Sequence, residues 1–299
     1  MTVDAVTAGR RAVCQRPLYP SEKMTPPSTS TPARRPSLRD ALSTPDRKQR
    51  YVSALFQRIA HRYDLITVLL SYGRDRRWKA ELVDLANVRP GERAVDLACG
   101  TGDLAYGLAA RGARVAGLDF APEMTRLARS KARRSPLDPS TALRVDGERS
   151  RTVDSRRSLG ASSVTFVVGD MLKLPLPDAS VTLVTAGYGL RNAAVLDTAL
   201  AEIYRVLAPG GRMLALDFNQ PANAVVRAVY LAYLTIVGSV VGLALHRDAD
   251  TYRYIPASLA RYPGAADVAA RMAALGFVDT EWRPLLGGLM AINMGRKAP

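Results

Sequence analysis

The densest grouping of chemically useful residues is Asp96-Leu97-Ala98-Cys99-Gly100-Thr101-Gly102-Asp103. Val95 and Leu97 read as the end of a buried strand. Gly100 and Gly102 let the backbone turn sharply and leave no Cβ between it and a ligand. Asp103 suits the first turn of a helix running from Leu104 to Ala110. A glycine loop between a strand and a helix N-terminus suits a nucleotide-like ligand. The loop alone is ambiguous. Gly100-Thr101-Gly102 with Ala105 also meets the loose dinucleotide pattern, and an ordinary tight turn has the same sequence. Asp119 adds a second feature. It closes the next apolar stretch, 19 residues after Gly100, the spacing at which an acid accepts hydrogen bonds from ribose hydroxyls. Asp119 also stands where it can cap a helix beginning near Pro122, and both roles can hold together.

These residues need a scaffold, and the remaining periodicity supplies one. Strands are expected at Arg93–Leu97, Arg114–Asp119, Val164–Val168, Val181–Thr185 and Arg212–Phe218, the last entered through a hard turn at Pro209-Gly210-Gly211. Helices are expected after Pro122, from Val195 to Leu207 and from Ala265 to Leu275, with Phe277–Trp282 and Leu289–Met294 as a closing strand pair. Alternating strands and helices imply a doubly wound parallel α/β sheet. Ahead of it, Val52, Leu55, Phe56, Ile59 and Ala60 share a helical face within 51–87. The pattern fits an amphipathic helical pair packed on the main domain, or a lid over a ligand.

The net charge of +15 invites a nucleic-acid or membrane partner. Its distribution argues against a nucleic-acid groove. Residues 1–50 carry ten Lys/Arg against four Asp/Glu, and residues 129–163 carry nine against four, so the rest is only mildly basic. Residues 1–45, rich in Pro, Ser, Thr and Arg, are expected to form a disordered tail. An organelle transit peptide and a true start at Met24 or later fit equally well, and a secretory signal does not. Residues 133–163 read as a surface insertion in a domain spanning 46–299. Neither segment is expected to matter for the chemistry. With two cysteines, Cys14 and Cys99, and two histidines, His61 and His246, no disulfide framework or metal site is expected. Ala228–Leu245 is an 18-residue run without formal charge. It just reaches the length of a membrane span, but its Tyr, Thr, Ser and Gly content favours a buried or membrane-resting helix.

The motifs taken together resemble the ubiquinone/menaquinone biosynthesis C-methyltransferases, from about Val52 to Lys297. The resemblance rests on Phe56-x-x-Ile59-Ala60-x-x-Tyr63-Asp64, Ser71-x-Gly73-x-x-x-x-Trp78-Lys79 and the Asp96–Asp103 loop. It continues through Gly189-Leu190-Arg191-Asn192, Arg205-Val206-Leu207-x-Pro209-Gly210-Gly211-Arg212 and Asp248-x-Asp250-x-Tyr252-x-Tyr254. It implies a Rossmann-like class I S-adenosylmethionine-dependent methyltransferase sheet with an N-terminal helical lid. It also implies S-adenosyl-L-methionine as cofactor and methylation of a ring carbon of a polyprenyl quinol precursor. By the same resemblance Thr101, Asp119, Asp170 and Met171 hold the cofactor, with Asp96, Gly100 and Gly102 of the loop. The loop N–H groups are expected to face the methionine carboxylate, and Asp170 the adenine amino group. Tyr63, Arg191 and Asn192 are implied in catalysis, and Tyr252 and Tyr254 beside the substrate. Arginine stays charged, so Arg191 is expected to clamp a phenolate rather than act as a base, with a water on Tyr63 or Asn192 carrying the proton. Arg191-Asn192 can also be a simple capping pair. Gly187 stands where the family has Ser, and Thr67 where it has Asn.

The expected setting is cytoplasmic and peripheral to a membrane, with organelle import through the tail left open. A homodimer is compatible with the sequence, and nucleic acid is not expected as a partner. The rival readings are a nicotinamide-dependent oxidoreductase, a nucleic-acid base methyltransferase and a non-enzymatic membrane module. The first has only the loop in its favour. The second lacks an Asn/Asp-Pro-Pro-aromatic motif after strand four, where the chain has Gly187-Tyr188-Gly189-Leu190. The third leaves the loop and Asp119 unexplained.

Overall fold

Seven strands form the sheet in the order β3-β2-β1-β4-β5-β7-β6. They are β1 (Arg93–Leu97), β2 (Arg114–Asp119), β3 (Val164–Val168), β4 (Val181–Gly187), β5 (Leu207–Phe218), β6 (Phe277–Leu285) and β7 (Met290–Lys297). The computed structural model describes residues 38–71, 73–134 and 164–299. All of them belong to one compact unit, Pro36–Pro299. Nearly all of the expected insertion at 133–163, and residues 1–37 of the expected tail, lie outside the described residues.

The first five strands pair in parallel. β7 inserts between β5 and β6 and runs antiparallel to both. The sheet is therefore mixed, not wholly parallel as expected. β6 and β7 are joined by the short turn Leu286–Gly288, which permits only an antiparallel hairpin. Alternate residues of one strand serve opposite faces: Ala94 packs in one core cluster, and Val95 and Leu97 in the other. Burial on both faces explains why these strands are continuous apolar runs.

β5 begins earlier than its sequence suggests. Val181 pairs with Leu207 and Leu183 already pairs with Arg212, so Ala208 to Gly211 bulge out between two paired stretches. Gly210 has a φ of +72° at this bulge, which glycine accepts at little cost. The expected turn is thus a bulge within one strand.

The helices are α1 (Leu38–Ala41), α2 (Pro45–Ile59), α3 (Tyr63–Leu70), α4 (Asp75–Leu85), α5 (Asp103–Ala110), α6 (Pro122–Arg134), α7 (Leu196–Val206), α8 (Ala224–His246), α9 (Tyr254–Leu259) and α10 (Ala265–Ala274). Thr44 caps α2 by accepting from the Arg47 N–H, ahead of Pro45 at the first helical position. α1 lies ahead of the expected boundary at residue 45. Ala41 is buried, and Leu38 and Leu42 pack beside the apolar face of α2 and α3. That face (Leu55, Ile59, Ile66, Leu70) closes on Tyr252 and Tyr254, forming a cluster separate from the two that flank the sheet.

α8 is capped by Asn223, whose side chain accepts from Val225 and Val226 N–H groups. Glycine matters on one side of it: a Cβ on Gly242 would stand 2.5 Å from the Asp248 carbonyl oxygen. Small residues there let the chain after α8 fold back along it. On the opposite side Val225, Val229, Ile236, Val240 and Leu243 are exposed. The helix is long and apolar enough to cross a membrane, yet only 22% of its most apolar window is buried in the protein.

Candidate active site: three chambers that meet at two tyrosines

The carboxyl ends of β1, β2, β3 and β4 surround a cleft holding about 700 Å³ of space open to solvent. Its walls include Gly100, Asp119, Asp170, Met171, Gly187 and Asn192, and Gln49, Val52, Ser53 and Phe56 of α2 cover it. Open α/β sheets bind ligands at this edge, where strand order reverses. Asp119 accepts from the Gly100 N–H at 2.8 Å and the Ala121 N–H at 2.9 Å. The acid therefore braces the glycine loop and caps the turn into α6. Each oxygen keeps a lone pair for a ribose hydroxyl. Burial pushes its pKa up to about 6. Asp170 accepts from the Leu172 N–H at 2.9 Å and from Gln49 Nε2 at 2.6 Å. The expected partner of Asp170 was an adenine amino group, and the Gln49 amide of α2 supplies a donor of the same kind.

A smaller chamber adjoins the first across Ala98, Gly100 and Gly187, lined also by Lys79, Asp96, Thr101 and Asp103. The loop's N–H groups are less free than expected. Gly100 N–H is spent on Asp119 and Gly102 N–H on the Cys99 carbonyl. The Thr101 hydroxyl donates to Asp64 of α3 at 2.6 Å and accepts from Lys131 of α6 at 2.8 Å. Lys131 also pairs with Asp64 and Asp103. Lys79 pairs with Asp103 and Asp75, and Asp75 accepts from the Tyr188 hydroxyl at 2.8 Å. Burial pushes the Lys79 ammonium down, but Asp103 and Asp75 outweigh it and hold the pKa above the usual range. Burial likewise opposes ionisation of Asp103, and Lys79 and Lys131 outweigh it. Cys99 is buried and its thiol is pushed well up by burial, which suits a packing role.

The third chamber lies beneath α3, lined mainly by apolar groups including Ile59, Ile66, Leu70, Trp78 and Met290. Tyr63, Thr67, Ser71, Tyr188, Tyr252 and Arg191 are its polar members. Arg191 is held firmly. Its Nε lies 3.3 Å from Asp217, its backbone N–H donates to the same carboxylate at 3.0 Å, and Nη1 donates to Ser258 at 2.5 Å. The guanidinium also stacks over Phe218 at 4.8 Å. Asp217 is fully enclosed, and burial raises its pKa more than Arg191 lowers it. Tyr252 is buried, with its hydroxyl 2.8 Å from His246 Nε2. Tyr254 lies behind the wall: its hydroxyl donates to Asn192 Oδ1 at 2.9 Å, and its ring packs on Tyr51. Asn192 in turn donates to the Tyr188 carbonyl. Tyr254 thus acts on the site through Asn192.

Tyr63 and Tyr188 border all three chambers. Burial pushes Tyr63 up to about 12 and Tyr188 well above the ordinary value, so both stay protonated at neutral pH. Tyr188 adopts φ +58°, which costs an aromatic residue energy. The pinning of its N–H by Leu216 and its hydroxyl by Asp75 sustains it. Tyr188, Asp75 and Asp217 were not singled out from the sequence. A lone acid closing the apolar run Leu214-Ala215-Leu216 repeats the pattern noticed at Asp119, and that signal points to Asp217.

Fold and site together define a class I S-adenosylmethionine-dependent methyltransferase architecture. A solved S-adenosylmethionine-dependent methyltransferase of Thermotoga maritima superposes with a TM-score of 0.54 at 16% identity, covering 82% of this chain and 99% of its own. The chain belongs to the ubiE/COQ5 methyltransferase family, whose model matches residues 44–297. A demethylmenaquinone methyltransferase of Thermus thermophilus is 39% identical over 81% of this chain and 99% of its own. A ubiquinone/menaquinone biosynthesis C-methyltransferase of Azotobacter vinelandii is 34% identical over 84% of this chain and 91% of its own.

Proposed function

We propose that the protein transfers a methyl group from S-adenosyl-L-methionine to a ring carbon of a polyprenyl quinol precursor. The observation that carries this reading is the meeting at Tyr63 and Tyr188 of three spaces: a cleft that sets Asp119 and Asp170 among mainly apolar walls, a charged chamber and an apolar chamber. The orphaned buried oxygen Asp96 Oδ2 and the acid Asp119 suit the ammonium and ribose of that cofactor. When bound, the cofactor supplies a sulfonium methyl, an electrophile needing only an aligned carbon. The chain's own residues supply that alignment. Tyr63 and Tyr188 form the partition where ring and methyl meet. Loss of the phenolic proton to water raises electron density on the neighbouring ring carbon. Arg191, oriented by Asp217, Ser258 and Phe218, stabilises the phenolate so formed. The hydrogen that the methyl displaces from that carbon leaves to water as a proton in turn. The Thr67 hydroxyl already donates to the Tyr63 carbonyl, which leaves its lone pairs to accept, whereas the Ser71 hydroxyl donates to the Val68 carbonyl and also accepts from the Asp75 N–H.

The apolar chamber lies beside α3, which packs against α8. Leu65 and Leu69 of α3 and the valine and isoleucine ridge of α8 are exposed. We read this double ridge as resting on a lipid surface, where an insoluble prenyl tail would reside, with Arg227 and Arg247 at its ends for anionic headgroups. The setting is then peripheral to the cytoplasmic face. The quinone profile of cells lacking the gene tests the reaction. Accumulation of an undermethylated quinone supports it, and an unchanged profile overturns it.

A further inference from the structure

A fourth cavity, with about 660 Å³ of space open to solvent, backs onto Arg191, the wall it shares with the apolar chamber. Four cations line it: Lys48, Arg191, Arg261 and Arg271. Asp197 is the one acid among its lining residues, and Arg271 already holds both its oxygens, at 2.7 and 2.8 Å. Arg191 is committed to Asp217 and Ser258. Lys48 and Arg261 are left without a counter-charge. Lys48, on the lid helix α2, donates to the Arg191 carbonyl at 3.0 Å and the Ala193 carbonyl at 2.5 Å. Its third N–H has no acceptor among the described residues. Arg261, just after α9, is exposed, and its guanidinium likewise has no acceptor among the described residues. Burial foremost, then Arg191 and Arg261, push the Lys48 ammonium down to about 8, and Asp217 only partly offsets them. Like charges gathered at a partly buried cavity repel one another, and an anion between them removes that cost.

We propose that this cavity binds a phosphate-type oxyanion between Lys48 and Arg261. A tetrahedral oxyanion has enough oxygens to meet an ammonium from one side and a forked guanidinium from the other, and charge-assisted bonds of this kind are the strong ones. The two cations come from separate parts of the chain, 213 residues apart in sequence (48 to 261). An anion held by both fastens the start of the lid helix to the turn after α9. The site does not depend on the cofactor reading, since neither cation lines the cleft or the charged chamber. A free phosphate and the phosphate of a lipid headgroup offer the same chemistry.

Calorimetric titration of the full chain with inorganic phosphate, in the absence of cofactor, tests the site. Phosphate should bind one per chain, and Lys48→Met and Arg261→Gln should each weaken it about 10- to 100-fold, as loss of a charged hydrogen bond does. Lys48→Met also forfeits two carbonyl contacts, so Arg261→Gln, which removes no contact within the described residues, decides the matter if Lys48→Met folds poorly. Arg50→Gln removes an exposed cation of α2 outside the cavity and should leave affinity within about twofold. Phosphate should also raise the thermal unfolding midpoint of the wild type by more than that of Arg261→Gln, because a ligand of the folded state stabilises it. Monomeric dihexanoylphosphatidylglycerol separates the sources: displacement of phosphate supports a lipid headgroup as occupant, and failure to displace it supports the free anion. Absence of phosphate binding, equal affinity in Arg261→Gln and wild type, or an equal loss in Arg50→Gln and Arg261→Gln would overturn the site.

Discussion

Replacing Asp217 strips the counter-charge from a guanidinium that water hardly reaches. The Arg191 and Asp217 side chains are 4% and 6% exposed. The carboxylate accepts from Arg191 Nε, the Arg191 N–H and the Phe218 N–H. Removing one partner of a buried ion pair costs about 3–5 kcal/mol, because the other charge stays buried. Asp217→Asn keeps an oxygen for one or two of these donors and should fall near the lower end. Asp217→Ala loses all three and should fall near the upper. A domain stable by about 5–15 kcal/mol survives the first change and is marginal after the second. Catalysis should suffer more selectively. An unanchored Arg191 loses its aim, and a misplacement of about 1 Å costs on the order of 100-fold in rate. Asp217 lines neither cofactor chamber, so S-adenosylhomocysteine affinity should stay within about twofold. Urea unfolding, calorimetry and turnover on Asp217→Asn read the three quantities. Equal stability and turnover in variant and wild type would refute the anchoring of Arg191. Cofactor affinity that falls as far as turnover would show that the pair serves the cofactor instead.

Four further outcomes follow from the same geometry. Asp119→Ala should weaken S-adenosylhomocysteine by about 1.5–3 kcal/mol, the value of a hydrogen bond to a charged group, and calorimetry reads it directly. Burial raises the Asp96 pKa to about 7 from an ordinary carboxylate value, and only its ionised form attracts an ammonium. Affinity should therefore be full above about pH 7 and fall as pH drops through that value, with proton release on binding at pH 6.5. Calorimetry in buffers of different ionisation enthalpy would contradict this by finding proton uptake. Tyr254→Phe removes the bond to Asn192 and should cost about 1 kcal/mol of stability with a several-fold drop in turnover, and no change in either would leave Tyr254 as filler. Val229→Glu with Val240→Glu should abolish sedimentation with anionic vesicles and leave cofactor affinity intact; binding that persists would rule out the α8 ridge as the lipid contact.

The parts of the fold legible in the sequence are those fixed by local chemistry. Parallel strands are short apolar runs, so the buried β1 and β2 and the largely exposed edge strand β3 are readable to the residue, and the Asp96–Asp103 loop is readable from its glycines. β5 was less so, because Pro209-Gly210-Gly211 has the composition of a turn and only pairing with β4 makes it a bulge. The tail boundary failed for a similar reason. Leu38, Ala41 and Leu42 are too few to show a period, and their burial depends on α2 and α3. The site divides the same way. Loop and strand-end acids announce themselves by position. The links from Asp64 to Thr101 and Lys131, from Tyr188 to Asp75 and from Arg191 to Asp217 join distant segments, and no local pattern encodes them. Tyr254 shows the converse. Its motif was legible, but whether it faces substrate or supports Asn192 depends on how the chain after α8 folds back.

The most direct measurement of the central claim follows a labelled methyl group. The purified protein is incubated with S-adenosylmethionine labelled at the methyl carbon and with vesicles carrying a prenylated demethylmenaquinol or the corresponding methoxybenzoquinol. Carbon NMR of the extracted lipid then locates the label. The account predicts label on a ring carbon of at least one of the two quinols, formed one-for-one with S-adenosylhomocysteine and lost in Arg191→Met. Label on a phenolic oxygen, or no transfer to either quinol by protein that binds the cofactor, would contradict it.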